Sequence, residues 1–116
     1  STKSIQVKTT TMDNFVSQKN LKRLNFVKID VEGNERLVLE GGQDTFQNYK
    51  PKLILEAGCE KKEDREKISS LLQSWSYEII GIILPHGIVD VKWDQYVALS
   101  NPFEVKYPVN VLFIPT

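Results

Sequence analysis

Two apolar runs in this chain end in carboxylates. Asn25-Phe-Val-Lys-Ile-Asp30 closes on Asp30, with Glu32 two residues on, and Lys52-Leu-Ile-Leu-Glu56 closes on Glu56. A carboxylate at a strand tip accepts hydrogen bonds from a ligand's hydroxyl or ammonium group, or takes a proton from it. In open parallel sheets, ligands sit beyond the carboxyl ends of the strands. Asp30, Glu32 and Glu56 are therefore candidate binding residues, and Asp30 is the first candidate for a catalytic contact. A plainer use competes: Asp30 and Glu32 sit where acids cap the next helix and favour its positive end. The two uses are compatible, because capping leaves carboxylate lone pairs free.

The remaining reactive side chains are few. Cys59 and His86 could form a thiolate–imidazolium nucleophile, but no third residue orients them, and a lone cysteine after a buried strand reads as a small core residue. His86 lies in Pro85-His86-Gly87, a turn, where it is a candidate general base. One cysteine and one histidine do not supply a zinc site. Trp93 and Tyr96 fall in a polar stretch, Lys92-Trp-Asp-Gln-Tyr96, and either line an acceptor pocket or an interface, or belong to a hairpin packed over one end of the sheet.

Positioning these groups takes one domain of 116 residues, 41% hydrophobic and 26% charged. That balance excludes a disordered chain. Fifteen basic residues match fifteen acidic ones, so nothing draws the chain electrostatically to nucleic acid or to an anionic membrane. No apolar run approaches the roughly 20 residues that span a bilayer. A single cysteine fits a reducing compartment, so a cytoplasmic location is expected.

The pattern predicts strand, helix, strand, helix, strand, helix, strand, then one or two closing strands. Ser4–Thr9 alternates like a half-buried strand, and Thr10 with Asp13 reads as a capping box for a helix ending at Lys19-Asn20. Asn34 is the expected N-cap of one helix running to about Tyr49, with Gly41-Gly42 as a kink or a close approach to the sheet. Glu60–Lys67 is expected to be a solvated helix face. Ile68, Leu71, Leu72 and Trp75 form the core stripe of the same helix. Tyr77–Leu84 is a third strand interrupted by Gly81, Val89–Leu99 is extended, and Val109–Ile114 is the last strand. Such alternation implies a largely parallel sheet, with an antiparallel C-terminal strand because no helix precedes it.

The phrase Val27-Lys-Ile-Asp-Val-Glu-Gly33, followed by Glu35, Leu39 and Gly41, resembles the FkbM-type methyltransferases. The flanks agree: Thr10-Thr-Met-Asp13 before it, Pro51-Lys-Leu-Ile-Leu-Glu56 after it, and Asn110-Val-Leu-Phe-Ile-Pro115 as a closing strand. The resemblance implies an α/β fold, part of a class I (Rossmann-like) methyltransferase in a three-layer sandwich. It implies S-adenosylmethionine as cofactor and a small-molecule acceptor, a sugar or secondary metabolite, methylated on a hydroxyl. Asp30 is then expected at cofactor or acceptor, Glu32 and Glu56 at the cofactor, and Lys28 in a supporting role.

One departure stands out. Binding that cofactor takes a Gly-rich turn after a first strand, yet none of the six glycines forms G-x-G. The chain therefore resembles the C-terminal half of the family alone, and is expected to be inactive or very weak by itself. A second consequence concerns Phe26–Asp30, which would lie at an uncovered sheet edge. A homodimer across that edge is the expected cover, with folding back of Ser4–Thr9 as the alternative. A non-catalytic module that pairs through the same edge is the rival reading.

Overall fold

The computed structural model describes residues 11–99 and 108–116, so the strand expected at Ser4–Thr9 lies outside the described residues. Along the chain run α1 (Met12–Lys19), β1 (Phe26–Ile29), α2 (Glu35–Glu40), α3 (Gln43–Tyr49) and β2 (Lys52–Ala57). They are followed by α4 (Lys62–Ser74), β3 (Tyr77–Leu84), β4 (Gly87–Asp90), α5 (Trp93–Ala98) and β5 (Val109–Pro115).

The five strands form one sheet in the order β1-β2-β5-β3-β4. Only β1 and β2 pair in parallel; β5 is antiparallel to both β2 and β3, and β4 to β3. The sheet is thus mixed, which corrects the largely parallel expectation, although β1, β2 and β3 all run the same way. The reason is β5. It inserts between β2 and β3 and runs against both, although α5, a helix the sequence did not predict, precedes it.

Val27, Ile29, Leu53, Leu55, Val111 and Phe113 are buried on one face and join a single core with Met12, Val16, Leu39, Phe46, Ile68, Leu72 and Tyr96 of the helices. The alternate residues Phe26, Ile54, Leu112 and Ile114 are only half-buried. All the described helices therefore pack on one face, giving two layers among the described residues where three were expected. The opposite face carries a groove of about 750 Å³ whose lining includes Phe26, Ile54, Ile83, Leu112 and Ile114.

Local chemistry explains the other departures. The cap of α1 is Thr11, whose hydroxyl accepts from the Asn14 N–H at 3.1 Å. Asp13 turns away from its own helix. Its carboxylate accepts from the N–H groups of Asp44 and Thr45 and from the Thr45 hydroxyl, at 3.1, 2.8 and 2.7 Å, and so caps α3. That clip ends α2 and starts α3 in place of one helix to Tyr49. Gly41 and Gly42 form the break: a Cβ on Gly41 would come within 3.2 Å of Thr11, and one on Gly42 within 3.1 Å of Met12. The close approach is to α1, not to the sheet.

On the far side, β4 stops at Asp90, and α5 takes up residues expected to be extended. Gly81 lets the two strands of the β3–β4 hairpin meet, because a Cβ there would run into the Val89 carbonyl. Trp93 stacks on Phe113 with ring centroids 5.6 Å apart, and Tyr96 meets the same ring edge-on at 5.5 Å. Each such pair adds about 0.5–1.5 kcal/mol beyond area burial. Both hold α5 on the sheet.

Candidate functional site

The site is built from the carboxyl ends of β1 and β2. Their register pairs Ile29 with Leu55, so the next residues, Asp30 and Glu56, stand side by side. The two carboxyl groups share a hydrogen bond. A carboxyl–carboxylate bond needs one proton between two acids. That bond, loss of water and the charge of Asp30 push Glu56 up to about 7, with smaller contributions from Glu35 and Glu32. On the other side, β5 places Asn110 opposite Glu56. The Oδ1 of Asn110 is buried and accepts no hydrogen bond. The row Asp30–Glu56–Asn110 therefore has more acceptors than donors, and suits a ligand that donates hydrogen bonds.

The turns beyond both strands share one construction, Gly-x-Glu. Gly33 and Gly58 take positive φ values of +93° and +132°, which glycine adopts without steric cost. In each turn the glutamate two residues later accepts from the glycine N–H. Glu35 takes the Gly33 N–H at 3.0 Å and the Val31 N–H at 3.3 Å, and Glu60 takes the Gly58 N–H at 2.8 Å. Both glutamates are buried, at 1% and 9% exposure. Burial pushes the Glu35 carboxyl up, against the lowering effect of its backbone donors. Glu60 stays near Arg65, whose guanidinium donates to the Glu60 carbonyl at 3.0 Å and to the Val97 carbonyl at 2.8 Å. One side of the expected solvated face thus turns inward, because Arg65 ties α4 to α5.

The β1–β2 pairing brings Asp30 and Glu56 together, and Glu32 borders them, exposed, with φ +41°. Neither Asp30 nor Glu32 caps α2. Asn34 holds the cap position without a side-chain cap bond, and Glu35 binds the turn from inside. Cys59 is exposed in the β2–α4 turn, and desolvation and the surrounding carboxylates push its thiol up, away from the nucleophilic thiolate. His86 is exposed on the β3–β4 turn. It lies at the same end of the sheet as the acids, with β5 between β3 and β2. Glu35, Glu60 and Asn110 were not picked out as site residues from the sequence. The repeated Gly-x-Glu after a strand was the available signal for the first two, whereas Asn110 depends on a cross-strand register that no local pattern contains.

The acceptor row fits the hydroxyl and ammonium groups of a nucleoside-bearing sulfonium cofactor. The glycines do not fit its adenosine. A Cβ on Gly33 would lie 3.5 Å from the Cys59 carbonyl, and one on Gly58 3.1 Å from Pro108, so both close the protein on itself. Among the described residues no group of His, Cys, Asp and Glu is arranged to hold a metal ion, and no helix is long and apolar enough to cross a membrane.

The family described as "Methyltransferase FkbM domain" matches residues 1–79. A protein named Methyltransferase 1 from Beauveria bassiana (strain ARSEF 2860) is 33% identical over 79 residues, which is 67% of this chain and 31% of that protein. This chain thus spans less than a third of that relative's length. No solved structure matches. The matched span takes in β1, β2 and both Gly-x-Glu turns, and stops inside β3, short of the closing strand Asn110–Pro115. The mixed sheet is compatible with part of a methyltransferase fold. On the strength of the family match over residues 1–79, the chain belongs to the FkbM methyltransferase-domain family.

Proposed function

We propose that this chain supplies the acceptor-side rim of an S-adenosylmethionine-dependent O-methyltransferase of the cytoplasm. The acceptor would be a small molecule with a free hydroxyl, a sugar or a secondary metabolite. The observation behind this reading is the Asp30–Glu56 pair, two acids side by side at the carboxyl ends of β1 and β2, with Glu56 pushed up to about 7 by its neighbour. A hydroxyl about to be methylated must lose its proton, and a carboxyl group poised near the working pH accepts it with least penalty. Asp30 takes the catalytic contact and Glu56 tunes it. Asn110 and Glu32 offer further acceptors to hydroxyl or ammonium groups. The cofactor supplies the methyl group when bound; the chain's own residues orient the acceptor and receive its proton.

The missing G-x-G turn and the two closed glycines imply that the chain alone binds the cofactor poorly and turns over slowly or not at all. Isothermal titration of the chain with S-adenosylmethionine should give no binding heat. Tight binding would sink the incomplete-cradle reading. Fused behind the nucleoside-binding half of an FkbM methyltransferase, the chain should support transfer to a hydroxyl acceptor. Asp30→Asn in that fusion should lose roughly 100-fold or more in turnover while unfolding at nearly the same denaturant concentration. Equal losses in turnover and stability would reduce Asp30 to a structural role.

A further inference from the structure

One line of cross-strand partners runs the whole width of the sheet at its acidic end. Asp30 and Glu56 stand next to each other beyond the Ile29–Leu55 pair. Glu56 pairs with Asn110, Asn110 with Ile83, and Ile83 with Ile88. Residues paired across strands share a face, and their chain neighbours take the other one. The neighbours Leu55, Val111 and Ile82 belong to the core, so the row lies on the face away from the helices. Its chemistry divides in two. Asp30, Glu56 and Asn110 offer oxygen atoms on β1, β2 and β5, whereas Ile83 and Ile88 offer only apolar surface on β3 and β4.

Each half has a group that the fold leaves unused. The Oδ1 of Asn110 is buried with no hydrogen-bond partner among the described residues, and an acceptor left that way costs stability. Ile88 is 50% exposed, one of three large hydrophobic side chains so placed among the described residues. It belongs to β4, at the far edge of the sheet from β1, in a hairpin that β3 and β4 complete between themselves. A strand spacing of about 4.8 Å sets the backbone of Asn110 roughly 10 Å from that of Asp30, and Ile88 roughly 19 Å from it. Few polar groups at fixed places beside an apolar wall is the usual make-up of a small-molecule site.

We propose that this row is the acceptor-binding strip and that it selects an amphipathic acceptor. A polyhydroxylated head lies over Asp30, Glu56 and Asn110, and an apolar body lies over Ile83 and Ile88. The strip rests on the assignment of Asp30 as the residue that receives the acceptor's proton, and goes beyond it in naming the groups that hold the rest of the molecule. Asn110 accepts a hydrogen bond from a second hydroxyl while Asp30 meets the first. A site with a buried acceptor to satisfy rejects a molecule that lacks the donor, and the two isoleucines favour one that brings apolar surface to bury. Asn110, Ile83 and Ile88 thus determine specificity and take no part in the proton transfer.

The full chain can be titrated with n-octyl β-D-glucopyranoside below its micelle concentration, and with methyl β-D-glucopyranoside as the head alone, while amide and methyl resonances are followed. The octyl glycoside should move the side-chain amide of Asn110 and the methyl groups of Ile83 and Ile88, and should bind about 10-fold more tightly than the methyl glycoside. Asn110→Leu and Ile88→Ser should each weaken it by about 10-fold. Asn110→Leu should also raise the urea midpoint, because the unpaired acceptor is gone. A lowered midpoint would make Asn110 a structural residue and overturn the proposal. So would shifts confined to Ile54, Leu112 and Ile114, or an affinity indifferent to either variant. Binding is read here without turnover, so the two assignments fail separately. If Asp30→Asn abolishes turnover in the fusion while the octyl glycoside leaves Asn110 and Ile88 unmoved, the proton acceptor stands and the strip falls.

Discussion

Glu56 stands beside Asp30 on neighbouring parallel strands, and its hydrogen bond with Asp30, burial and the Asp30 charge push Glu56 up to about 7. An acid whose pKa is higher in the folded chain than in the unfolded one binds more protons when folded. Its contribution to stability is complete below about 4.5 and is lost as pH rises to about 7. The denaturant midpoint should therefore fall across that window. Glu56→Gln should make the fall shallower without abolishing it, because buried Glu35 is shifted in the same direction. An unchanged slope in Glu56→Gln would show that the pair holds no extra proton.

The same pair can be read directly. Asp30→Asn removes the neighbouring charge and offers Glu56 an amide donor in its place. The Glu56 carboxyl should then titrate well below 7, toward the usual carboxylate range. Carbon-13 detection of the side-chain carboxyl resonances would follow this, and a Glu56 still titrating near 7 in Asp30→Asn would assign its shift to burial alone.

Glu35 has a different job from its neighbours. Its two oxygens hold the N–H groups of Val31 and Gly33 inside the protein. Glu35→Ala leaves both donors without an acceptor and should cost about 1–3 kcal/mol in urea unfolding. Glu35→Gln retains one acceptor oxygen and should cost less. If the two variants lost the same stability, the bonds to the turn would not be what matters at this position.

Asp13 is the cap of a helix to which it does not belong. Asp13→Ala should cost about 1–2 kcal/mol, as loss of an N-cap does. The added exchange should appear at Asp44 and Thr45 on α3, and not at the start of α1, which Thr11 caps. Fraying confined to α1 would contradict this assignment.

Glycines at two positions of one hairpin should respond differently. Gly81→Ala drives a methyl group into the Val89 carbonyl, a backbone atom that cannot step aside, and should cost about 1–3 kcal/mol or more. Gly87 has open space around its missing side chain but a φ of +140°, so Gly87→Ala pays only for its backbone conformation. Equal thermal midpoints for the two variants would show that β3 and β4 separate easily.

The sequence by itself determined the strands that end in acids and the apolar stripe of α4. Each of these follows from a period of two or 3.6 residues or from a residue's place at a strand tip, and such signals are local. Tertiary structure decided what depends on partners distant in the chain. Asp13 reaches 32 residues to Thr45 and splits the helix expected to run to Tyr49. Phe113 draws Trp93 and Tyr96 into the core, so α5 forms where an extended stretch was expected. The insertion of β5 between β2 and β3 puts Asn110 beside Glu56. Sheet order and cross-strand register arise from packing one whole element against another, and no short window of residues encodes them.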